Sequence, residues 1–310
     1  STMDWATYHG GSALDAGFGV QVSSTGDVYV TGGTESADLP ASGSPVQPQH
    51  AGSVDGYLVR YTAGTYARSA TTFFGTGAFD QAYFVQLDGA NNVYVVGQTA
   101  GAFPVSSGVY ANANATQFIQ KFNADLSTSS WSTRIGGSGN ENLSPSAFLV
   151  SNCGQIYLSA WGGSTNAAGG GVTSSSTLGL FTTPDAFQST TDGSDFYLIV
   201  LQPDAAGVDY ASFFGGSSAE HVDGGTSRFD KDGIVYQAVC AGCSGSFPTT
   251  LLTDTAVAGS GARVATDLRH SSRIGLGVVC AATQFSDALV SDQIRSGSAG
   301  AVSVTGSAAT

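Results

Sequence analysis

Four carboxylates recur at one position of a repeated phrase and are the first candidates for chemistry. Each follows the first glycine of the phrase by five residues: Asp15 after Gly10, Asp80 after Gly75, Glu141 after Gly136 and Glu220 after Gly215. Carboxylate oxygens are ligands that Ca²⁺ prefers, so a ring of them would bind a cation or concentrate negative potential. Acids at turns also accept hydrogen bonds from backbone amides, and repetition in every unit favours that structural role. A calcium site remains a hypothesis, and no other cofactor is expected.

Aromatic residues in the variable connections are the candidates for ligand binding. Rings offer a large contact area to sugars and peptides at a small entropic cost. The candidates are Trp161, Tyr110, Phe181 and Phe187. Trp5 and Trp131 instead belong to a repeated strand and are expected in the core.

Residues for catalysis are not evident in the sequence. His221 lies between Glu220 and Asp223 and could act as an acid or base, but no serine can be assigned to it as a nucleophile. The glycine-rich stretches lack the lysine of a phosphate-binding loop. Asp230 and Asp232 form half of a calcium loop without its distal glutamate, so a turn explains them better. The chain is expected not to be an enzyme.

Cysteine spacing leaves the redox state open. Cys153, Cys240, Cys243 and Cys280 allow two disulfides or none. Cys240 and Cys243 have the spacing of a zinc half-site, but a second pair is missing. A local disulfide or buried thiols are therefore favoured over metal or redox chemistry.

Charge and composition exclude several partners. The chain has 310 residues, a net charge of −13 and 11% charged residues. A phosphate backbone or an anionic membrane surface would be repelled. No apolar run reaches the roughly 20 residues of a membrane helix. Nucleic acid and membrane insertion are therefore not expected.

Two markers repeat along the chain in one rhythm. The first glycines of the phrase are 65, 61 and 79 residues apart. A strand centred on Tyr29, Tyr94, Tyr157 and Tyr236 recurs with steps of 65, 63 and 79 residues. Within each of the first three units, alternating apolar residues and Gly, Asn or Asp turns predict four short strands. In the first unit these are residues 17–22, 27–31, 56–61 and 68–74, with a hairpin turn at residues 24–27.

A repeated unit of four antiparallel strands predicts an all-β fold, a β-propeller in which each unit is one blade. A β-sandwich would not repeat at this length, and the coils of a β-helix are shorter. The repeats are assigned to residues 1–295, with units starting near residues 10, 75, 136 and 215, and residues 296–310 to a Gly/Ala/Ser-rich tail. About four repeats are visible.

The segment at residues 3–8 aligns with the last strand of each unit but has no unit of its own. It could complete the fourth unit and close a ring of four blades. It could also belong to a blade outside this sequence, which would make the chain part of a larger ring. The second interpretation is favoured, because four blades is the low end of the known range.

Three phrases resemble one known repeat family. They are Tyr8-His9-Gly10-Gly11 with Asp27-Val28-Tyr29-Val30, Phe213-Phe214-Gly215-Gly216 with Asp232-Gly233-Ile234-Val235-Tyr236, and Asn152-Cys153-Gly154-Gln155-Ile156-Tyr157. Over about residues 5–250 the chain resembles the SBBP repeat, a bacterial propeller repeat of large Bacteroidota surface proteins. The resemblance implies an extracellular propeller within a multidomain protein exported by the type IX secretion system. The family provides no established catalytic residues.

The sequence therefore predicts a non-catalytic interaction or adhesion module on the bacterial cell surface. Its partner would be a glycan or a surface protein. Two alternatives remain open, a polysaccharide-active enzyme and a purely structural surface-layer or stalk domain.

Overall fold

The computed structural model describes residues 3–137, 143–162 and 175–217 in full. It also describes the backbone of five further strands at residues 227–229, 235–240, 263–267, 292–296 and 302–306.

Three four-stranded antiparallel sheets follow one another along the chain, each with its strands in sequential order. Sheet 1 contains β1 (Asp15–Val22), β2 (Val28–Thr34), β3 (Asp55–Tyr61) and β4 (Arg68–Phe74). Sheet 2 contains β5 (Asp80–Leu87), β6 (Val93–Thr99), β7 (Gln117–Phe122) and β8 (Ser129–Ile135). Sheet 3 contains β9 (Ser144–Val150), β10 (Ile156–Trp161), β11 (Phe196–Leu201) and β12 (Val208–Phe214).

The remaining strands form two smaller sheets. One contains β13 (Ser227–Phe229), β14 (Val235–Cys240) and β15 (Arg263–Asp267), and the other pairs β16 (Asp292–Ser296) with β17 (Val302–Gly306). Strand β17 lies inside the segment that the composition assigns to a tail.

The all-β fold class and the four-stranded antiparallel unit are confirmed. The predicted strands of the first three units agree with the observed ones to within a few residues. A single 3-10 turn, Pro203–Ala205, is the helical structure in the described part of the chain. The closed ring of a propeller stays a prediction.

The hairpin turn predicted at residues 24–27 is also confirmed. The Ser23 amide donates to the Asp27 carbonyl at 2.8 Å, and the Gly26 amide donates to the Ser23 carbonyl at 3.0 Å. Gly26 has a φ of +87°, a left-handed conformation that glycine adopts without strain. The corresponding turns of the other sheets place Asn91 and Gly154 in the same region.

The first strand of each of sheets 1 to 3 carries a bulge at the same place. The pairing of β1 with β2 skips Phe18, that of β5 with β6 skips Tyr83, and that of β9 with β10 skips Ser146. A bulge bends a strand and redirects one side chain. Phe18 and Tyr83 consequently meet, with ring centroids 5.5 Å apart.

The interior lies between the sheets rather than within one of them. Strand β5 packs against β1, β2 and β3, and β9 packs against β5 and β6. The cluster between sheets 1 and 2 includes Tyr29, Leu58, Phe74, Phe118 and Phe122. Central strands are thus buried on both faces, which explains why β6 is apolar along most of its length.

The second such cluster joins sheets 2 and 3 and includes Trp131, which is only 7% exposed, as expected for a core residue. Its ring nitrogen donates to Asp204 Oδ1 at 3.0 Å. The same oxygen accepts from Lys121 Nζ at 2.6 Å. This ion pair ties sheet 2 to the 3-10 turn of sheet 3.

The long connection between the second and third strands returns along the outer strand of each sheet. In sheet 1, Ser42 exchanges two backbone hydrogen bonds with Thr71. In sheet 2, the Asn112 amide donates to the Arg134 carbonyl at 2.8 Å. In sheet 3, the Thr183 amide donates to the Ala211 carbonyl at 3.0 Å. The connections therefore cover edges that would otherwise be open to pairing.

The segment at residues 3–8 is not a strand, so that prediction is wrong. Trp5 is 37% exposed rather than part of the core, because it stacks on Tyr66 at a centroid distance of 4.9 Å at the surface of sheet 1. His9 packs on Tyr57 and Tyr61, at 5.1 and 6.1 Å. The segment lies on sheet 1 through side chains, since its backbone has no strand partner in the described structure.

We expect this docking to weaken in mild acid. Burial, with a further contribution from Arg68, lowers the pKa of His9 from 6.5 to about 4. The docked segment therefore holds neutral His9, and its stability should fall as the pH drops from about 6.5 towards 4. A pH titration of Trp5 fluorescence, with Trp5→Phe as the blank, should show this transition.

The matched variant is His9→Phe, which replaces the imidazole with a ring that cannot be protonated. A phenylalanine can make this kind of contact, since Phe74 packs on Phe118 and Phe122 as His9 packs on Tyr57 and Tyr61. It should keep the segment docked throughout this pH range. An unchanged transition in His9→Phe would contradict the assignment to His9.

Candidate functional site

Asp15 fixes the turn that leads into sheet 1. Its Oδ2 accepts from the Gly11 amide at 2.9 Å and from Ser36 Oγ at 3.0 Å, and its Oδ1 accepts from Thr34 Oγ1. Gly10 is required beside it, because a methyl group there would lie 2.6 Å from Asp15 Oδ2. The contacts are those of the structural role that the sequence favoured for this acid.

Asp80 makes similar contacts at the entry to sheet 2. Its Oδ2 accepts from both the Thr76 amide and Thr76 Oγ1 at 2.6 Å. The residue is fully buried, and its Oδ1 has no hydrogen-bond partner. Asp80 therefore fixes its turn with one oxygen only.

The other two acids of the predicted ring, Glu141 and Glu220, lie outside the described residues. In sheet 3 the residue three positions before the bulge is Leu143, whereas Asp15 and Asp80 hold that position in sheets 1 and 2. In sheet 3, therefore, the acid five residues after the first glycine of the phrase does not occupy this position. Within the described ranges no three His, Cys, Asp or Glu side chains form a group that could hold a metal.

Sequence reasoning missed Asp55, a fully buried acid that begins β3. Its Oδ2 accepts from the Ala51 amide at 2.7 Å and Gln47 Nε2 at 3.0 Å, and its Oδ1 accepts from the Gly52 amide at 3.1 Å. Burial raises the pKa of its carboxyl, and the nearby charge of Asp80 raises it further, against these hydrogen bonds.

Asp195 was missed in the same way and directly precedes β11, at the position that corresponds to Asp55 in sheet 1. Gln188 Nε2 donates to its Oδ2 at 3.2 Å, while its Oδ1 is buried without a partner. Burial raises the pKa of this carboxyl as well. The signal in the sequence was an acid directly before an apolar strand in two of three units.

Two of the predicted ligand-binding aromatics lie together. Tyr110 in the connection of sheet 2 contacts Phe181 in the connection of sheet 3, with ring centroids 6.4 Å apart. The Tyr110 amide donates to the Ala205 carbonyl at 2.7 Å, which fixes it across the boundary between the sheets. Tyr110 is half-buried, and Phe181 is 49% exposed. We call this pair the aromatic ledge.

The other two predicted aromatics lie apart from the ledge in different surroundings. Phe187 is 38% exposed and packs on Phe214, with ring centroids 5.6 Å apart. Trp161 ends β10 and is 9% exposed, so it is a buried residue rather than a surface ring. Its carbonyl accepts a hydrogen bond from Ser175 Oγ at 3.0 Å.

Cys153 is disulfide-bonded and lies in the turn between β9 and β10. Cys240, Cys243 and Cys280 have side chains outside the described residues. None of the helical structure in the described residues could span a membrane.

No protein-family model and no curated protein matches the chain. Among solved structures it is similar to a glucose dehydrogenase, with a TM-score of 0.27 and 9% sequence identity over 74% of this chain and 80% of that chain. A similarity at this level carries no argument about fold or activity.

Proposed function

We propose that the chain is a non-catalytic β-propeller module that mediates interaction or adhesion at the bacterial cell surface, with a glycan or a surface protein as its partner. Sheets 1 to 3 support the propeller because each packs face to face on the next in chain order. This is the relation between adjacent blades. The resemblance to SBBP repeats points to the same arrangement.

The aromatic ledge is the observation that carries the binding role. Phe181 exposes half of its surface in the connection of sheet 3, whose strands have mostly buried apolar residues. Tyr197 Oη donates to the Phe181 carbonyl at 2.8 Å, which fixes the backbone under the exposed ring. A rigidly held ring beside a tyrosine offers stacking and a hydroxyl, the combination that binds the face of a sugar or a peptide side chain.

Charge restricts the partner further. A net charge of −13 disfavours sulfated or phosphorylated polymers and favours neutral glycans or a protein with a basic surface. Burial raises the pKa of Tyr110, so the ledge presents a neutral phenol at physiological pH.

The disulfide at Cys153 is consistent with an extracellular location, because disulfides persist in oxidising compartments. We place the chain on the bacterial surface within a larger multidomain protein exported by the type IX route, on the strength of the SBBP resemblance.

The first test is a glycan array with the purified chain, followed by the variant Phe181→Ala. Loss of the exposed ring should weaken binding to the selected glycan by about fivefold or more, since stacking on one ring contributes on the order of 1 kcal/mol or more. Isothermal titration calorimetry measures the affinity.

The matched control is Phe187→Ala, which removes a comparably exposed ring away from the ledge. It should bind as the unmodified chain does. Equal weakening by both variants would refute a site at the ledge, and silence across the array would favour a protein partner or a structural role.

A further inference from the structure

We propose that the boundary between sheets 1 and 2 holds a hard divalent cation, with Ca²⁺ as the probe, between the carboxylates of Asp55 and Asp80. We call these two residues the junction pair. This site is distinct from the aromatic ledge. It shares Asp80 with the ring of acids at equal spacing, of which Asp55 was not a member.

Asp55 and Asp80 both lie against Gly75. A methyl group on Gly75 would lie 3.0 Å from Asp55 Oδ1 and 3.1 Å from Asp80 Cβ. Gly75 therefore packs closely between two acids that come from different sheets. The Asp80 amide donates to the Val54 carbonyl at 2.8 Å, so the backbone also binds the two segments together here.

The charge of the junction pair is not neutralised by the side chains that contact it. Both residues are fully buried, and their hydrogen-bond donors are backbone amides, the Gln47 amide and the Thr76 hydroxyl. Asp80 Oδ1 has no partner at all. Burying two carboxylates without a counter-charge is unfavourable unless a proton or a cation joins them.

The nearest basic groups bind elsewhere. His50 influences Asp55 through its charge, but its Nε2 lies 3.1 Å from the Thr34 carbonyl oxygen. Arg134 senses the charge of Asp80, but its Nε donates to the Ala115 carbonyl at 2.6 Å. Neither forms an ion pair with the junction pair among the described residues.

Two backbone carbonyl oxygens lie against Gly52, next to Asp55. A methyl group on Gly52 would lie 2.3 Å from the Ala78 carbonyl oxygen and 2.6 Å from that of Thr76. The amide of this same Gly52 donates to Asp55 Oδ1. Carboxylate and carbonyl oxygens are the kinds of ligand that Ca²⁺ takes.

The next boundary shows that the fold does not require these acids. Strand pairing places Thr116 where sheet 1 has Asp55, and Leu143 where sheet 2 has Asp80. Sheets 2 and 3 pack together through these neutral residues. Joining the sheets therefore does not require a charged pair at the first boundary, which leaves the pair available for cation binding.

The test uses the full chain, freed of metal with a chelator and then titrated with Ca²⁺. Calcium should raise the Tm by several degrees, because an ion that binds only the folded state stabilises it by mass action. Calorimetry should count one ion fewer in Asp80→Asn and in Asp55→Thr, the latter copying the residue of sheet 2. Asp38→Asn, which alters an exposed acid bonded to Ser12, should bind as the unmodified chain does.

The number of bound ions distinguishes an ion at the junction pair from any ion bound near Asp195, because only the first is lost in the junction variants. Loss of one ion in both junction variants supports the proposal. Unchanged stoichiometry in both would overturn it. A second result would also overturn the proposal: calcium does not change the Tm, and Asp55→Thr is more stable than the unmodified chain at pH 7. A shared proton would then occupy the junction pair. Glycan binding is measured separately, so failure of one proposal leaves the other intact.

Discussion

Phe118→Ala is expected to destabilise the fold by about 3–5 kcal/mol, the cost of removing a fully buried aromatic side chain. Phe118 is 0% exposed and stacks on Phe103 at a centroid distance of 4.1 Å. It also meets Phe74 of sheet 1 edge-on at 5.9 Å. The truncation thus leaves a cavity where three parts of the chain converge. Urea unfolding followed by circular dichroism measures the loss.

The control is Phe181→Ala, which removes the same ring from an exposed position. It should cost no more than about 1 kcal/mol, as surface substitutions do. Comparable losses in the two variants would show that the cluster between sheets 1 and 2 does not dominate stability.

Gly56→Val is expected to destabilise by roughly 3 kcal/mol through overpacking. Gly56 lies opposite Phe74 in the pairing of β3 with β4, and the Phe74 ring covers it. A methyl group at Gly56 would lie 2.1 Å from Phe74 Cε2. The added side chain must displace Phe74, which is 2% exposed, from its contacts with sheet 2. The midpoint of urea unfolding should fall accordingly.

Gly89→Val is the matched control, because a methyl group there meets no atom within 4 Å. Its stability should change little. A second variant, Gly56→Val with Phe74→Leu, should recover part of the loss if the clash with the ring is the cause. Failure to recover any stability would point to the β3 backbone instead.

The architecture of the repeated unit could be predicted from the amino-acid sequence. Alternating apolar residues and turn residues predicted the strands, since these signals are local and each face of a strand has a period of two. The repeated glycine phrase and the tyrosine-centred strands located three sheets with nearly correct bounds. The burial of Trp131 followed from the same pattern.

Residues 3–8 show where a local pattern fails. Their sequence resembles the last strand of a unit, but a strand also needs a hydrogen-bonding neighbour, which a local pattern cannot supply. The burial of Trp161 could not be read from the sequence for a related reason, because whether the end of a strand is covered depends on what packs there. Both features depend on distant parts of the chain.

Which polar groups come into contact depends on how the sheets pack, and this could not be predicted from the sequence. Asp55 and Asp80 are 25 residues apart in sequence, and their approach depends on how sheet 2 packs on sheet 1 around Gly75. Tyr110 and Phe181 come together for the same reason at the next boundary. Strand patterns arise from neighbouring residues, whereas both candidate sites arise between sheets, where side chains from distant segments share one buried or half-buried space.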